Sequence, residues 1–98
     1  MGAIQFELLN TYDPLNGVVE EIDEYGRLLK RENYKEGKLN GMSEEFYVDG
    51  RVSGRENYKN GELDGVREMF YENGQLALRQ NYKDGKKTYD SGWLDDEN

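Results

Sequence analysis

Asn57 to Gln80 reads N-Y-K-N-G-E-L-D-G-V-R-E-M-F-Y-E-N-G-Q-L-A-L-R-Q, and the same plan stands earlier in the chain at Asn33 to Glu56 as N-Y-K-E-G-K-L-N-G-M-S-E-E-F-Y-V-D-G-R-V-S-G-R-E. A further step back of the same length covers Leu9 to Glu32, and a step forward covers Asn81 to Asn98. Glycines align at 17/41/65, 26/50/74 and 37/61/85. Leu15, Leu39 and Leu63 fall together, as do Glu20, Glu44 and Glu68, then Ile22, Phe46 and Phe70, then Arg31, Arg55 and Arg79, then Tyr34, Tyr58 and Tyr82. One structural plan is used about three and a half times, and a fixed period of this length signals a repeat array.

The punctuation within each copy predicts hairpins. Asp49-Gly50 and Asn73-Gly74, with Tyr25-Gly26 in the first copy, sit between strand-like runs. Asp-Gly and Asn-Gly suit a two-residue type I′ turn, whose two central residues both take positive φ. A two-residue loop at Asp49-Gly50 makes residues whose numbers sum to 99 face each other. Glu44 then faces Arg55, and the same construction sets Glu20 opposite Arg31 and Glu68 opposite Arg79. Opposite charges directly across a strand pair support that register. It also sets Tyr47 opposite Val52 and Tyr71 opposite Leu76 on one face, with Phe46 opposite Ser53 and Phe70 opposite Ala77 on the other. The Ile22, Phe46 and Phe70 face is expected to carry a ladder of apolar groups along the array.

A second set of turns, Glu36-Gly37, Asn60-Gly61 and Asp84-Gly85, closes the return strands. If these are also short hairpins, Tyr34 faces Leu39 and Tyr58 faces Leu63. Every strand then pairs with its neighbours in sequence. The expected fold is all-β: an elongated antiparallel β-meander built from tandem twenty-four-residue hairpin repeats, forming a single domain over 1–98. Residues 1–15 read as an N-terminal cap, 16–87 as the repeats, and 88–98 as a C-terminal cap and acidic tail. Ala3 to Leu9 alternates apolar and polar residues as an edge strand would. Pro14 makes the first inter-hairpin turn irregular. Lys87 and Tyr89 break the pattern where Leu and Gly are aligned, as a terminal repeat does.

Composition bounds the function. Of the 98 residues, 35% are hydrophobic and 35% are charged, which is thin for a globular core, yet 12% are aromatic and recur in register. An array that buries its apolar groups between neighbouring units fits this balance better than disorder does. The net charge is −8, with seven acids against three bases between Met1 and Glu32. Nucleic acid and anionic membranes want clustered Lys and Arg, so neither is an expected partner. With no Cys and no His, disulfides, zinc thiolate sites and Cys nucleophiles are excluded. The opening residues lack a basic segment followed by an apolar run, so a cytoplasmic protein is the simplest expectation.

Acid/base chemistry finds no convergent constellation, since paired neighbours such as Glu20-Glu21 and Glu44-Glu45 point to opposite faces of a strand. Asp90 with Asp95, Asp96 and Glu97 offers oxygen ligands but lacks calcium-loop spacing. No enzyme, cofactor or metal is expected. The recurring tyrosines remain: Tyr34, Tyr47, Tyr58, Tyr71 and Tyr82 form a candidate partner-binding platform, since Tyr is rigid, amphipathic and enriched at protein interfaces. Open sheet edges are a second route, to another chain or to a homo-oligomer.

F-Y-E-N-G-Q-L, N-Y-K-D-G-K and N-G-E-L-D-G-V resemble the variant form of the MORN (membrane occupation and recognition nexus) repeat, over roughly Asn16 to Lys87. The resemblance implies an elongated β array used for interaction, in a group whose bacterial members are often labelled antitoxin-like, and hence a toxin as one candidate partner. Met69 and Glu45 stand where the better-known units carry tryptophan. A phosphatidylinositol phosphate kinase role, which the resemblance also suggests, lacks both a kinase domain and a phosphate-cradling loop here. The alternative is a repeat that binds carbohydrate or lipid headgroups.

Overall fold

The computed structural model describes residues 3–4 and 15–95. It is one antiparallel sheet of nine strands: β1 (Ala3–Ile4), β2 (Gly17–Ile22), β3 (Leu28–Lys35), β4 (Lys38–Phe46), β5 (Val52–Lys59), β6 (Glu62–Leu63), β7 (Gly65–Phe70), β8 (Leu76–Lys83) and β9 (Lys86–Asp90). Spatial order follows sequence order without a crossover. β6 and β7 are two pieces of one run along β5, interrupted at Asp64. The expected meander of hairpin repeats is the fold. Of the expected strand at Ala3 to Leu9, Ala3 and Ile4 pair with Ile22 and Glu21, and the remainder lies outside the described residues, as do Pro14 and the tail beyond Asp95.

The charge register holds in all three copies: Glu20 faces Arg31, Glu44 faces Arg55 and Glu68 faces Arg79. The loops that produce it differ from expectation. Tyr47 N–H donates to Arg51 O at 2.8 Å and Gly50 N–H to Tyr47 O at 2.9 Å, so the loop has three residues, Val48-Asp49-Gly50. The same bonds close Glu24-Tyr25-Gly26 and Glu72-Asn73-Gly74. This is a type I turn followed by a left-handed glycine. Asp49 keeps negative φ, and its role is different: its Oδ1 accepts from Arg51 N–H at 3.0 Å, as Asn73 Oδ1 does from Gln75 N–H at 2.8 Å.

A three-residue loop displaces the pairing by one. Tyr47 and Tyr71 therefore do not face Val52 and Leu76, and Phe46 and Phe70 do not face Ser53 and Ala77. Phe46 pairs with Val52 and Phe70 with Leu76. A β-bulge then restores the sum, because Glu45 pairs with Gly54 and Met69 with Leu78, leaving Ser53 and Ala77 as the extra residues. Leu29 is their counterpart in the first copy, between the pairs Ile22–Leu28 and Glu21–Lys30. Beyond the bulge the register is what a two-residue loop would have given.

The type I′ turns sit at the opposite edge. Glu36, Asn60 and Asp84 are the non-glycine residues with positive φ (50°, 51° and 51°) among the described residues, each followed by a glycine between 82° and 86°. Tyr34 faces Leu39 and Tyr58 faces Leu63, as expected. Each of these turns leans on the copy before it: Gly37, Gly61 and Gly85 N–H donate to Leu15, Leu39 and Leu63 O, all at 2.8 Å.

Next to those turns the ladder widens. Asn33 alone stands opposite residues 40–42, between the pairs Tyr34–Leu39 and Glu32–Ser43. Its Nδ2 donates to Met42 O at 2.8 Å, as Asn57 Nδ2 does to Val66 O at 2.9 Å. Gly41 and Gly65 carry this bend at φ +106° and +113°, where a side chain would be strained, and a Cβ on Gly65 would lie 3.3 Å from Asn57 Cβ.

The sheet is a single layer, 48 × 36 × 15 Å. Among the described residues the buried hydrophobic side chains are Ala77 and Leu78, and no large side chain is fully buried. Stability therefore comes from ladders of half-buried pairs rather than from a core between layers.

Candidate interaction surfaces

Alternation along the strands divides each copy between two faces. On one face, here the ladder face, the Glu and Arg pairs line up across the array as Glu20, Arg31, Glu44, Arg55, Glu68 and Arg79. Arg31 reaches Glu20 at 3.1 Å and Glu44 at 3.6 Å, while Glu68 is held from both sides by Arg55 at 3.1 Å and Arg79 at 2.6 Å. Burial pushes the Glu68 carboxyl up, but the Arg79 and Arg55 bonds outweigh it and leave the group below its ordinary range. Toward the three-residue loops lies an apolar row of Ile22, Leu28, Phe46, Val52, Phe70 and Leu76, all half-buried. Arg31 and Arg55 lie over the rings of Phe46 and Phe70, 5.9 and 5.3 Å from their centroids. The expected apolar ladder is thus present, with Leu28, Val52 and Leu76 added by the bulged register. On the other side of the charges runs a row in which Val18, Met42 and Val66 alternate with Asn33, Asn57 and Asn81.

The opposite face carries Tyr34, Tyr58 and Tyr82. Each faces a glycine on one neighbouring strand, Gly17, Gly41 and Gly65 respectively. Their hydroxyls donate to Glu32, Glu56 and Gln80 two residues back, at 3.2, 2.7 and 3.3 Å. Burial first, and then the Glu56 carboxylate, push the Tyr58 phenol above its ordinary value, and Tyr34 shifts the same way. A polar chain continues beside them. Arg67 bonds Glu56 at 2.6 Å and Gln80 at 2.7 Å, Gln80 bonds Asp90 at 3.1 Å, and Lys87 bonds Asp90 at 2.7 Å.

Tyr47 and Tyr71 are placed apart from that row, beside the three-residue loops. Tyr47 Oη donates to Phe70 O at 2.6 Å and Tyr71 Oη to Leu94 O at 2.7 Å, so each ties its copy to the next. The five candidate tyrosines thus divide into a row of three and a pair of inter-repeat ties. The segment after β9 is held along β8 as well: Ser91 N–H donates to Arg79 O at 2.9 Å and Leu94 N–H to Ala77 O at 2.8 Å. Leu94 takes the place of Phe70, and Trp93, one residue before it as Met69 is before Phe70, is 70% exposed.

The Asp90 carboxylate is committed to Lys87, the Gly92 amide and Gln80, which hold it down at about 2. Asp96 and Glu97 lie outside the described residues.

Sequence reasoning missed Val18, Met42 and Val66, exposed at 56%, 38% and 37%. The signal was available, since each comes directly after the aligned glycine of its copy.

The model of one family, the MORN repeat variant, matches residues 63–84, and no curated protein or solved structure matches the chain. The matched segment runs from Leu63 through β7 and the Asn73 loop to the Asp84 turn, and so includes Gly65, Phe70, Gly74 and Tyr82. The copy before it has the same pairings, bulge and loops, one period earlier. Residues 63–84 match the MORN repeat variant, and they are one copy of the hairpin unit that the described residues repeat.

Proposed function

We propose that the chain is a non-catalytic protein-binding module of the cytoplasm, and that its partner is another protein, a toxin that it holds in the manner of an antitoxin. The observation that supports this most directly is the single layer. A sheet normally buries a face against a second layer, and here the described residues form an array 15 Å thick that leaves both faces, the tyrosine face among them, without one. The MORN repeat variant supports a repeat-built binding module. The foreign partner is assigned to the tyrosine face, where the Tyr34, Tyr58 and Tyr82 rings are held rigid by their hydroxyl bonds and Glu45 stands exposed beside them.

The test uses the product of a gene adjacent to that of the chain, titrated by calorimetry. Replacing Tyr58 and Tyr82 by Ser should abolish binding while the β-sheet circular dichroism persists. Glu45→Arg, which alters the same face without touching a hydrogen-bonded ring, should weaken it. Undiminished binding by both variants would move the site off this face.

A further inference from the structure

The ladder face has a property that the tyrosine face lacks. Its central row reads Glu, Arg, Glu, Arg, Glu, Arg from β2 to β8, and read backwards it is Arg, Glu, Arg, Glu, Arg, Glu. A row that becomes its own complement on reversal suits pairing with a copy of itself. Consider a two-fold axis that runs along the strands, between β4 and β5, in the gap between two stacked sheets. It reverses the strand order and brings ladder face to ladder face. Glu20 then lies opposite the second copy's Arg79, Arg31 opposite its Glu68, and Glu44 opposite its Arg55. A slide by one strand sets every Glu on a Glu and every Arg on an Arg, and a slide by two restores the pairing only by leaving two strands of each sheet uncovered, so charge and overlap together favour this register. This is what complementary charges do at interfaces, more than they supply affinity.

The flanking rows are compatible with the same operation. The apolar row meets itself in reverse, Phe46 against Val52, Leu28 against Phe70 and Ile22 against Leu76, and stacked sheets pack such rows about 10 Å apart. In the third row each exposed Val or Met meets an Asn. The charge row is neutral, three Glu and three Arg, so the excess of −8 on each chain is not concentrated where the copies meet. At the β9 edge, pairing is disfavoured by contrast, because the strand exposes Lys86, the kind of charge that blunts an edge.

We propose that the ladder face is a homodimer interface, with two copies stacked face to face in antiparallel order about this axis. The inference is independent of the foreign-partner assignment, which uses the opposite face. Sedimentation of the purified chain should show a species of twice 11.4 kDa. The double variant Met42→Glu with Val66→Glu, both at exposed positions, should weaken self-association about tenfold or more while leaving the dichroism unchanged. The chain has no cysteine, so single cysteines report geometry without background. Met42 lies beside the proposed axis and Val18 far from it in the same row. Met42→Cys chains should therefore be joined into dimers by a short bis-maleimide linker, and Val18→Cys chains, although more exposed, should not. A monomer at 100-fold the concentration used for binding, or Val18→Cys cross-linking as fast as Met42→Cys, would overturn the arrangement and leave the ladder face to a different occupant.

Discussion

At the scale of single residues, the hydroxyls of Tyr47 and Tyr71 do what the aromatic rings alone would not: each spans from one copy to a backbone carbonyl of the next. Tyr47→Phe keeps the ring and removes the bond, and we expect it to cost about 1 kcal/mol by urea denaturation, the ordinary net worth of such a bond. A loss indistinguishable from zero would mean that water replaces the hydroxyl freely. Glu68 is the other residue on which neighbouring copies converge. Its folded carboxyl lies below the ordinary range, so its contribution is fully present above the unfolded carboxyl value of about 4.3 and is lost as pH falls through the lower folded value. Glu68→Gln should therefore lower stability at pH 7 and also flatten the decline between pH 5 and pH 2, measured as denaturation midpoints across that interval. An unchanged acid slope would assign that decline to other carboxylates, Asp90 foremost, which shifts in the same direction.

At the scale of the hairpin, the register depends on two features that cancel. The three-residue loop moves the pairing by one, and the bulge at Ser53 moves it back. Deleting Ser53 removes the bulge and sets Gly54 directly after Val52, so the pairs Phe46–Val52, Glu45–Gly54 and Glu44–Arg55 persist in an unbroken ladder. We therefore expect the deletion to keep Arg55 on the ladder face and the β4–β5 amides protected in hydrogen exchange. Lost protection would mean that the bend at the bulge is itself needed for the pairing. The same cancellation explains what was legible in the sequence. Opposite charges recurring at Glu20/Arg31, Glu44/Arg55 and Glu68/Arg79 reported the net register, which is a property of both features together. They carried no information on the turn type, and Asp49-Gly50 fits either loop, since Asp serves the shorter one by its backbone and the longer one by its side-chain oxygen. At the opposite edge Glu36, a residue without special turn preference, takes positive φ only because Gly37 and the preceding copy hold the turn. Periodicity showed that Tyr34, Tyr58 and Tyr82 recur. It could not show that Tyr47 and Tyr71, recurring equally, have a different use, because that is decided by where a hydroxyl ends and not by which positions repeat.

At the scale of the molecule, a single-layer array has no centre, and each copy is as stable as its neighbours make it. The last half-copy, Ser91 to Leu94, supplies β8 with backbone partners and Tyr71 with its acceptor. Ending the chain after Asp90 removes these bonds together, and we expect a loss of about 2 kcal/mol, at about 1 kcal/mol for a typical bond with partial replacement by water. Exchange should rise first in β8 and β7 and last in β3 and β4. Uniform loss across the sheet would mean that the array unfolds as one unit.

The ties between copies run in both directions and recur at the same positions: the hydroxyl of Tyr47 reaches residue 70 and that of Tyr71 reaches residue 94, while the amides of Gly61 and Gly85 reach back to Leu39 and Leu63. Every copy therefore offers its successor the socket that it itself fills in its predecessor. A duplicate of Asn57 to Gln80 spliced in after Gln80 would find each donor and acceptor waiting, and would lengthen the sheet by two strand widths, about 10 Å. Length in this protein is thus a modular quantity, extended by duplication in whole steps, and each step adds one Glu and one Arg to the ladder and so leaves it readable in both directions.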